Sequence, residues 1–388
     1  MRIQASTHVP GLHALPNSSI PVAEDNGKGK AKMSAIGVGI LGTGRISDLH
    51  AIEYLRNPAT RIAMLCDRDL QAARTKAAKW GIDNVRVTDD VSELLRCKEV
   101  DLVEILLPHD LHLPTALKAM EAGKAISLQK PICATLAEAD ELVDAVSSYD
   151  RPFKVFENFL FHPPVARARQ LIAQDAIGKP QSIRIKSNPG TSPTGWHVPD
   201  SALAWRQKRD RAGGGPLVFD DGHHKFALAW GFMGEPEEVH AFIGRVERKD
   251  GNWYDAQSMI SFRFPGNRVG NLEIVYSPEL EVTTRYYAQD DRVEITGTKG
   301  VIWINCGHGH LAGAVPLALF RDGTLSEYRD MNVSWEQSFV HSTRHFINVL
   351  VNGGTPVLQA AEARQVLRFS SAAEQSALEG RAVAVQCR

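Results

Sequence analysis

The chain has 388 residues, 44 basic against 45 acidic for a formal net charge of −1, with 43% hydrophobic and 7% aromatic content. That length and apolar share suffice for a large core and two domains, and the even charge argues against the basic footprint that nucleic acid or a membrane surface requires. Five cysteines without a C-x-x-C pair read as reduced thiols of a cytoplasmic protein, and no apolar run approaches the roughly 18 residues of a membrane span.

Residues 1–32 carry Pro10, Pro16, Pro21 and the run Gly27-Lys28-Gly29-Lys30-Ala31-Lys32 without a hydrophobic period, which reads as a disordered leader ahead of Met33. From Met33 to Pro152 strand and helix patterns alternate. Strands are expected at Ala35 to Leu41, Arg61 to Cys66, Val100 to Leu107 and Lys124 to Leu128, with helices between them. Pro114 suits a first helical turn, Gly123 stops that helix, and Thr135 with Glu138 forms a capping-box pattern. This is the signature of a doubly wound parallel sheet, a Rossmann domain over 33–152.

Beyond Phe153 the pattern changes. A helix is expected over His162 to Gln174, then strands at Gln181 to Lys186, Val239 to Val246, Gln257 to Phe264, Arg268 to Tyr276, Thr283 to Tyr287, Val293 to Thr296 and Val301 to Asn305. Two late helices follow, at Glu336 to Val351 and Ala360 to Leu378. Runs of strands with segregated helices indicate an α+β domain over 153–388 with a large, mainly antiparallel open sheet, and the cleft between the domains is the expected substrate site.

The first strand runs into Gly42-Thr43-Gly44-Arg45-Ile46-Ser47 and then into a helical pattern through Ile46, Leu49, Ile52 and Leu55. Such a turn aims backbone N–H groups and the positive helix end at a pyrophosphate, here from Gly42, Thr43, Gly44, Arg45 and Ile46. Asp67 ends the next strand about 20 residues on, where a carboxylate holds the ribose hydroxyls and favours NAD. Arg68 beside it could receive a 2′-phosphate, so NADP stays open. Ser47 replaces the third glycine and is small enough for close packing of helix on strand.

Three further segments can meet in the cleft: Gln129-Lys130-Pro131 at a strand end, Trp205-Arg206, and Gly213-Gly214-Gly215 leading to Asp220, His223 and His224. Asp220 and His224, four apart, would share one face of a helix beginning there. His224 is the natural base for oxidising an alcohol, Asp220 would orient it or bind a substrate hydroxyl, and Lys130 would polarise the oxygen. His109 and His112 could reach the cofactor from their loop, with a structural role the better reading of His109. Asn158 with Phe159 and Phe161, and Trp196-His197, line either the pocket or the core. Cys306, His308 and His310 alternate like a metal set, but intervening glycines point to a loop and no fourth ligand is identifiable, so no metal is expected.

At these residues the chain resembles the glucose-fructose oxidoreductase and inositol dehydrogenase family (Gfo/Idh/MocA) from Met33 onward. The matching elements are the Gly42 to Ser47 turn with Asp67-Arg68, Leu107-Pro108 with His112, Ala122-Gly123-Lys124, Lys130-Pro131, Trp205-Arg206, Asp220-x-Gly222-x-His224, the Glu294 to Gly300 segment and the closing Ser376 to Gly380. The resemblance implies hydride transfer between NAD or NADP and a hydroxyl of a sugar, inositol or glycoside, and a homodimer or homotetramer joined through the second domain's sheet. It carries the catalytic set over to Lys130, Asp220 and His224; Pro108, His112, Gln129 and Lys130 are expected at the cofactor, and Lys130, Asn158, Trp205, Arg206, Asp220, His223 and His224 at the substrate. Two departures stand out. The family's Glu-Lys-Pro is Gln129-Lys130-Pro131 here, which removes a carboxylate beside the lysine, and the glycine cluster is one residue longer, leaving open which of His223 and His224 faces substrate. A tightly held nicotinamide, in an aldose oxidoreductase or an oxidation-assisted glycosidase, is one alternative; a non-catalytic dinucleotide sensor is another.

Overall fold

The computed structural model describes residues 35–198, 203–248, 250–309 and 313–385. The expected leader and His310 lie outside the described residues.

Strand β1 (Ile36–Leu41) is buried from Gly37 onward, as an apolar strand covered on both faces must be. It pairs in parallel with β2 (Thr60–Cys66) on one side and, after β3 (Arg86–Thr88), with β4 (Leu102–Ile105) on the other. With β5 (Ala125–Gln129) and β6 (Phe153–Phe156) these make a six-stranded sheet in the order β3-β2-β1-β4-β5-β6. Helices α1 (Ser47–Arg56), α2 (Leu70–Lys79), α3 (Val91–Arg96), α4 (His112–Glu121) and α5 (Leu136–Ser147) connect the strands. The expected capping box opens α5: Thr135 Oγ1 accepts the Glu138 N–H while the Glu138 carboxylate accepts the Thr135 N–H. The strand order reverses between β1 and β4, and the crevice beyond the carboxyl ends there is where such sheets bind ligands.

The parallel sheet reaches past the boundary expected at Pro152. Phe153-Lys154-Val155-Phe156 is wholly buried and pairs with β5. Lys154 hides the strand character in the sequence; its ammonium donates to Ser342 O and Oγ at 2.7 Å each and lies 4.5 Å over the Phe156 ring.

The second domain contains α6 (Pro163–Ala173), β7 (Pro180–Pro189), α7 (His223–Met233), β8 (Glu238–Ile243), the short pair β9 (Val246–Glu247) and β10 (Trp253–Tyr254), and then β11 (Ser258–Phe264) and β12 (Arg268–Ile274). It closes with β13 (Gln289–Gly297), β14 (Gly300–Ile304), β15 (Leu317–Arg321), β16 (Thr324–Tyr328), α8 (Trp335–Asn352), α9 (Ala360–Glu379) and β17 (Val383–Ala384). Its nine-stranded sheet has the order β16-β15-β14-β13-β7-β12-β11-β8-β17, antiparallel except where β7 meets β12. Alternation sends Ile183, Ile185, Ile260, Phe262, Phe264, Leu272 and Ile274 inward and leaves Arg184, Lys186, Met259 and Arg263 outside.

Two sequence expectations fail here. Thr283 to Tyr287 is irregular rather than a strand, because Tyr286 and Tyr287 turn their rings into a cluster with Trp196 and Trp335. The outer strands β15 and β16 were not anticipated: β15 is a short run with Leu317, Ala318 and Leu319 buried, and β16 is exposed up to Tyr328, so neither shows a sustained apolar alternation. Late in the chain, α8 returns to the first domain, where Arg344 grips Glu53 of α1 through two 2.8 Å bonds.

Phe369 of α9 ties helix to sheet, its fully buried ring 4.9 Å from Phe226 and 5.0 Å from Phe262. Phe369→Ala is expected to cost about 3–5 kcal/mol of unfolding free energy. Urea denaturation measures it, and a loss below about 1 kcal/mol would show that this core does not depend on the ring.

Candidate active site

The chemistry-bearing residues lie beyond the carboxyl ends of the parallel strands. After β1, Gly42 takes φ +90°, and a Cβ there would stand 2.4 Å from Leu106 O, so only glycine lets the ends of β1 and β4 approach. After β2, Asp67 Oδ2 accepts from Thr43 N at 2.7 Å and Thr43 Oγ1 at 2.9 Å, and its Oδ1 accepts from Asp69 N at 3.0 Å. Arg68 is exposed beside it. Ser47, at the third glycine position, is buried with its hydroxyl donating to Gly44 O at 2.6 Å.

This turn fits a dinucleotide. A Cβ on Gly44 would meet nothing within 4 Å, so the approach is open. No backbone bond among the described residues outside helices and strands uses the N–H of Gly44, Arg45 or Ile46, which leaves three donors at the mouth of α1. Arg45 reaches across to the second domain, donating to His197 O with its guanidinium 4.9 Å over the Trp196 ring and 5.3 Å over that of Tyr287.

Lys130 follows β5, across a cis bond to Pro131. Its Nζ donates to Asp220 Oδ1 at 2.9 Å and to Asp220 O at 2.6 Å. Arg206 Nε donates to Asp220 Oδ2 at 2.7 Å, and His109 Nε2 lies 3.5 Å from Oδ1 while Nδ1 donates to Ala212 O at 2.7 Å. Trp205 closes the group, edge-on to His109 at 4.8 Å and under the Arg206 guanidinium at 4.3 Å. Burial works against the Asp220 charge, but Lys130 and then Arg206 outweigh it and hold the carboxyl well below the usual carboxylate range.

Asp220 sits in a π-turn (Pro216–Asp221) rather than at the start of an ordinary helix. Its N–H donates to Gly215 O at 3.0 Å and Gly222 N–H to Leu217 O at 2.8 Å, each spanning five residues. Asp255 caps the turn, accepting from Leu217 N at 2.6 Å and Val218 N at 2.7 Å; a Cβ on Gly215 would stand 2.1 Å from its Oδ2. The Asp220 oxygens face Lys130, Arg206 and His109, and among the described residues the histidine's bond is to Glu157, so of the two expected roles of Asp220 the one of orienting His224 is corrected. His224, in α7, instead brings Nδ1 to 2.6 Å from Glu157 Oε1 and stacks on Phe159 at 4.4 Å. Burial pushes its imidazole well down. Of the two histidines, His224 keeps a little exposure while His223 is sealed, with neither ring nitrogen partnered and the imidazole pushed down to about 3 by burial.

Several expected ligand contacts are absent. His112 is sealed beneath the cleft with Nδ1 2.8 Å from Pro131 O and Nε2 2.9 Å from Leu107 O, so neither nitrogen is left for a cofactor. Gln129 is turned inward, accepting from Lys130 N at 2.8 Å and donating to His50 Nε2 at 2.9 Å. Asn158 donates to Ser338 Oγ at 2.8 Å and is buried against α8. Pro108 lies half-buried ahead of His109. Cys306 is buried, its thiol pushed up to about 12, and among the described residues no group of three or more His, Cys, Asp or Glu could hold a metal. Sequence reading missed Glu157 and preferred a structural role for His109, which the fold places beside Asp220. Both follow carboxyl ends of parallel strands, the signal that singled out Lys130.

Comparison with known proteins agrees with this geometry. Residues 36–157 match the oxidoreductase family with NAD-binding Rossmann fold, and residues 165–303 match the GFO/IDH/MocA C-terminal domain. The chain belongs to the Gfo/Idh/MocA family. Its first domain is therefore an NAD-binding Rossmann domain and the protein an oxidoreductase. Over 221 residues this family member is 31% identical to the uncharacterized protein YMR315W of Saccharomyces cerevisiae, covering 56% of this chain and 61% of that one. It is 27% identical over 305 residues to levoglucosan dehydrogenase of Pseudarthrobacter phenanthrenivorans, covering 70% and 74%. A crystal structure of an oxidoreductase from Agrobacterium radiobacter, in complex with NAD+, L-tartaric acid and magnesium, superposes with a TM-score of 0.78 at 20% identity, over 91% of this chain and 99% of that one, a likeness of fold.

Asp67→Ala removes the carboxylate that holds Thr43 of the dinucleotide turn in place. NAD affinity is expected to fall about tenfold or more, the loss of one charged hydrogen bond. Fluorescence titration with NAD and NADP reads it, and unchanged NAD affinity would remove Asp67 from the cofactor site.

Proposed function

We propose that this protein is an NAD-dependent dehydrogenase acting on a secondary hydroxyl of a sugar, inositol or glycoside. The observation that carries the reading is the meeting of Lys130, Asp220, Arg206 and His224 at the edge of the sheet that holds the dinucleotide turn. The Arg206–Asp220–Lys130 group sets donors and an acceptor side by side, which suits the hydroxyls of a polyhydroxy ligand.

Gly44, Arg45 and Ile46 would hold the pyrophosphate with their N–H groups and Asp67 the ribose, and bound NAD would supply a hydride acceptor. Oxidation of a carbinol needs its C–H electron pair to depart and its O–H proton to find a base. His224 Nε2 takes that proton. Lys130, with two of its three hydrogens on Asp220, directs the third to the substrate oxygen as charge develops there. Asp220 and Arg206 fix the lysine and accept from or donate to neighbouring hydroxyls. The carboxylate missing at Gln129 is thus supplied by Asp220, which removes the ground for a non-catalytic sensor. NAD is the expected cofactor from the Asp67 charge, with NADP the outcome if Arg68 folds over a 2′-phosphate.

A second reading, an enzyme that keeps its nicotinamide between turnovers, is favoured by one feature: Arg45 of the dinucleotide turn is clamped by Trp196, Tyr287 and His197 O of the second domain. Nucleotide copurifying with the protein, and turnover without added NAD, would select it. We further propose a homodimer or homotetramer joined through the outer face of the nine-stranded sheet, where the register brings exposed Phe242 against Met259 and Phe320 against Leu325. The buried free thiols of Cys66, Cys97, Cys133 and Cys306 suit the cytoplasm, and no helix among the described residues is long and apolar enough to cross a membrane.

A panel of cyclitols, monosaccharides and glycosides, followed by absorbance of reduced nicotinamide, tests the activity. Lys130→Ala and His224→Ala are each expected to lower kcat by about 10²-fold or more with NAD binding retained. Full turnover in both variants would end the assignment.

A further inference from the structure

Glu157 is the first residue beyond β6, as Lys130 is beyond β5, so both stand at one edge of the parallel sheet. Its carboxylate is buried, and Oε1 accepts the Phe159 N–H at 2.9 Å while lying 2.6 Å from His224 Nδ1. As a carboxylate, Glu157 has no hydrogen to give, so the imidazole nitrogen facing Oε1 is the one that carries hydrogen. Phe159, stacked on the ring at 20°, holds the imidazole plane. Contact on one nitrogen and one face leaves the ring no other orientation.

We infer that Glu157 is a positioning residue that keeps the His224 proton on Nδ1 and so leaves Nε2 unprotonated toward the cleft, ready to take the hydroxyl proton of the substrate. This rests on the reading of His224 as the base. When the O–H bond breaks, its proton goes to Nε2 and the ring becomes an imidazolium whose Nδ1–H still points at Glu157. No other proton moves, and the carboxylate offsets the new charge where burial alone would oppose it. The charged and titratable groups around the pair are Lys130, Lys225, Asp220, Asp221 and His223. The two lysines oppose an imidazolium and the two aspartates favour one, but only Glu157 touches the ring.

Glu157→Gln keeps size and a hydrogen-bond acceptor and removes the charge. Alcohol oxidation is expected to slow by about 10²-fold in kcat with NAD affinity and KM little changed, and the midpoint at which kcat/KM rises with pH should move lower, because the imidazolium loses its counter-charge. Glu157→Asp should recover part of the rate. In the unmodified enzyme, ¹⁵N-histidine spectra should place the His224 proton on Nδ1, a measurement independent of whether the variants fold. Wild-type kcat with a superimposable pH profile in Glu157→Gln, or a proton on Nε2 in the spectra, would overturn the inference. If His224→Ala is inactive and Glu157→Gln is not, this inference alone fails; if His224→Ala turns over normally, the underlying assignment of the base fails with it.

Discussion

A lysine at the end of the parallel sheet and an aspartate from the second domain meet at 2.9 Å, both almost wholly buried, and the two halves of the site join through that pair. Burying two opposite charges costs desolvation that their attraction only partly returns, so such a pair is a poor source of stability taken alone. Its effect is on geometry. Removing Asp220 would strand the Lys130 and Arg206 charges, at a cost of roughly 3–5 kcal/mol, and this favours one relative placement of the two domains. Arg206 on the other carboxylate oxygen makes the restraint two-sided, since Asp220 cannot rotate without giving up one cation.

The backbone around Asp220 is shaped for this purpose. An α-helical turn would carry residues 220 and 224 on one face, side by side. Here a π-turn precedes α7, with Asp220 bonded to Lys130 and His224 bonded to Glu157. Two glycines make it possible: Gly215 lies against the Asp255 carboxylate, and Gly222 against Val218 O, where a Cβ would sit at 2.1 Å. Asp255 is forced up to about 7 by burial even while two backbone N–H groups donate to it. The turn is held by a capping carboxylate at an unfavourable depth, a local cost accepted where the site requires it.

What could be read from the residues divides along physical lines. Periodicity marked β1, β2, β5 and the two long late helices well, because each has one dominant environment on each face. The turn after β1 and the acid after β2 were readable because dinucleotide binding imposes spacing on a contiguous segment. Phe153 to Phe156 was placed in the wrong domain because one lysine interrupts it, and only the fold reveals that Ser342, 188 residues away, satisfies that lysine. With the strand went Glu157, whose role depends on standing next to β5. The partners of His112 and Asn158 were hidden for the complementary reason: their side chains bond a nearby carbonyl or a hydroxyl on a distant helix, which sequence spacing does not display.

Gln129 shows how a departure from the family pattern becomes consistent once its surroundings are known. The Lys130 N–H only donates, so the Gln129 oxygen must face it and the amide nitrogen must face His50. That nitrogen donates, so His50 Nε2 carries no hydrogen and the ring proton sits on Nδ1, 2.9 Å from Glu104. Glu104 also accepts from Tyr54 and Ser127. A glutamate at position 129 would set a second acceptor against His50 Nε2 and call for a doubly protonated ring, sealed from water between two carboxylates. The amide avoids that. It also ties α1, which begins at the dinucleotide turn, to the residue bearing the lysine, so that the groups meant for cofactor and for substrate are held through one uncharged link.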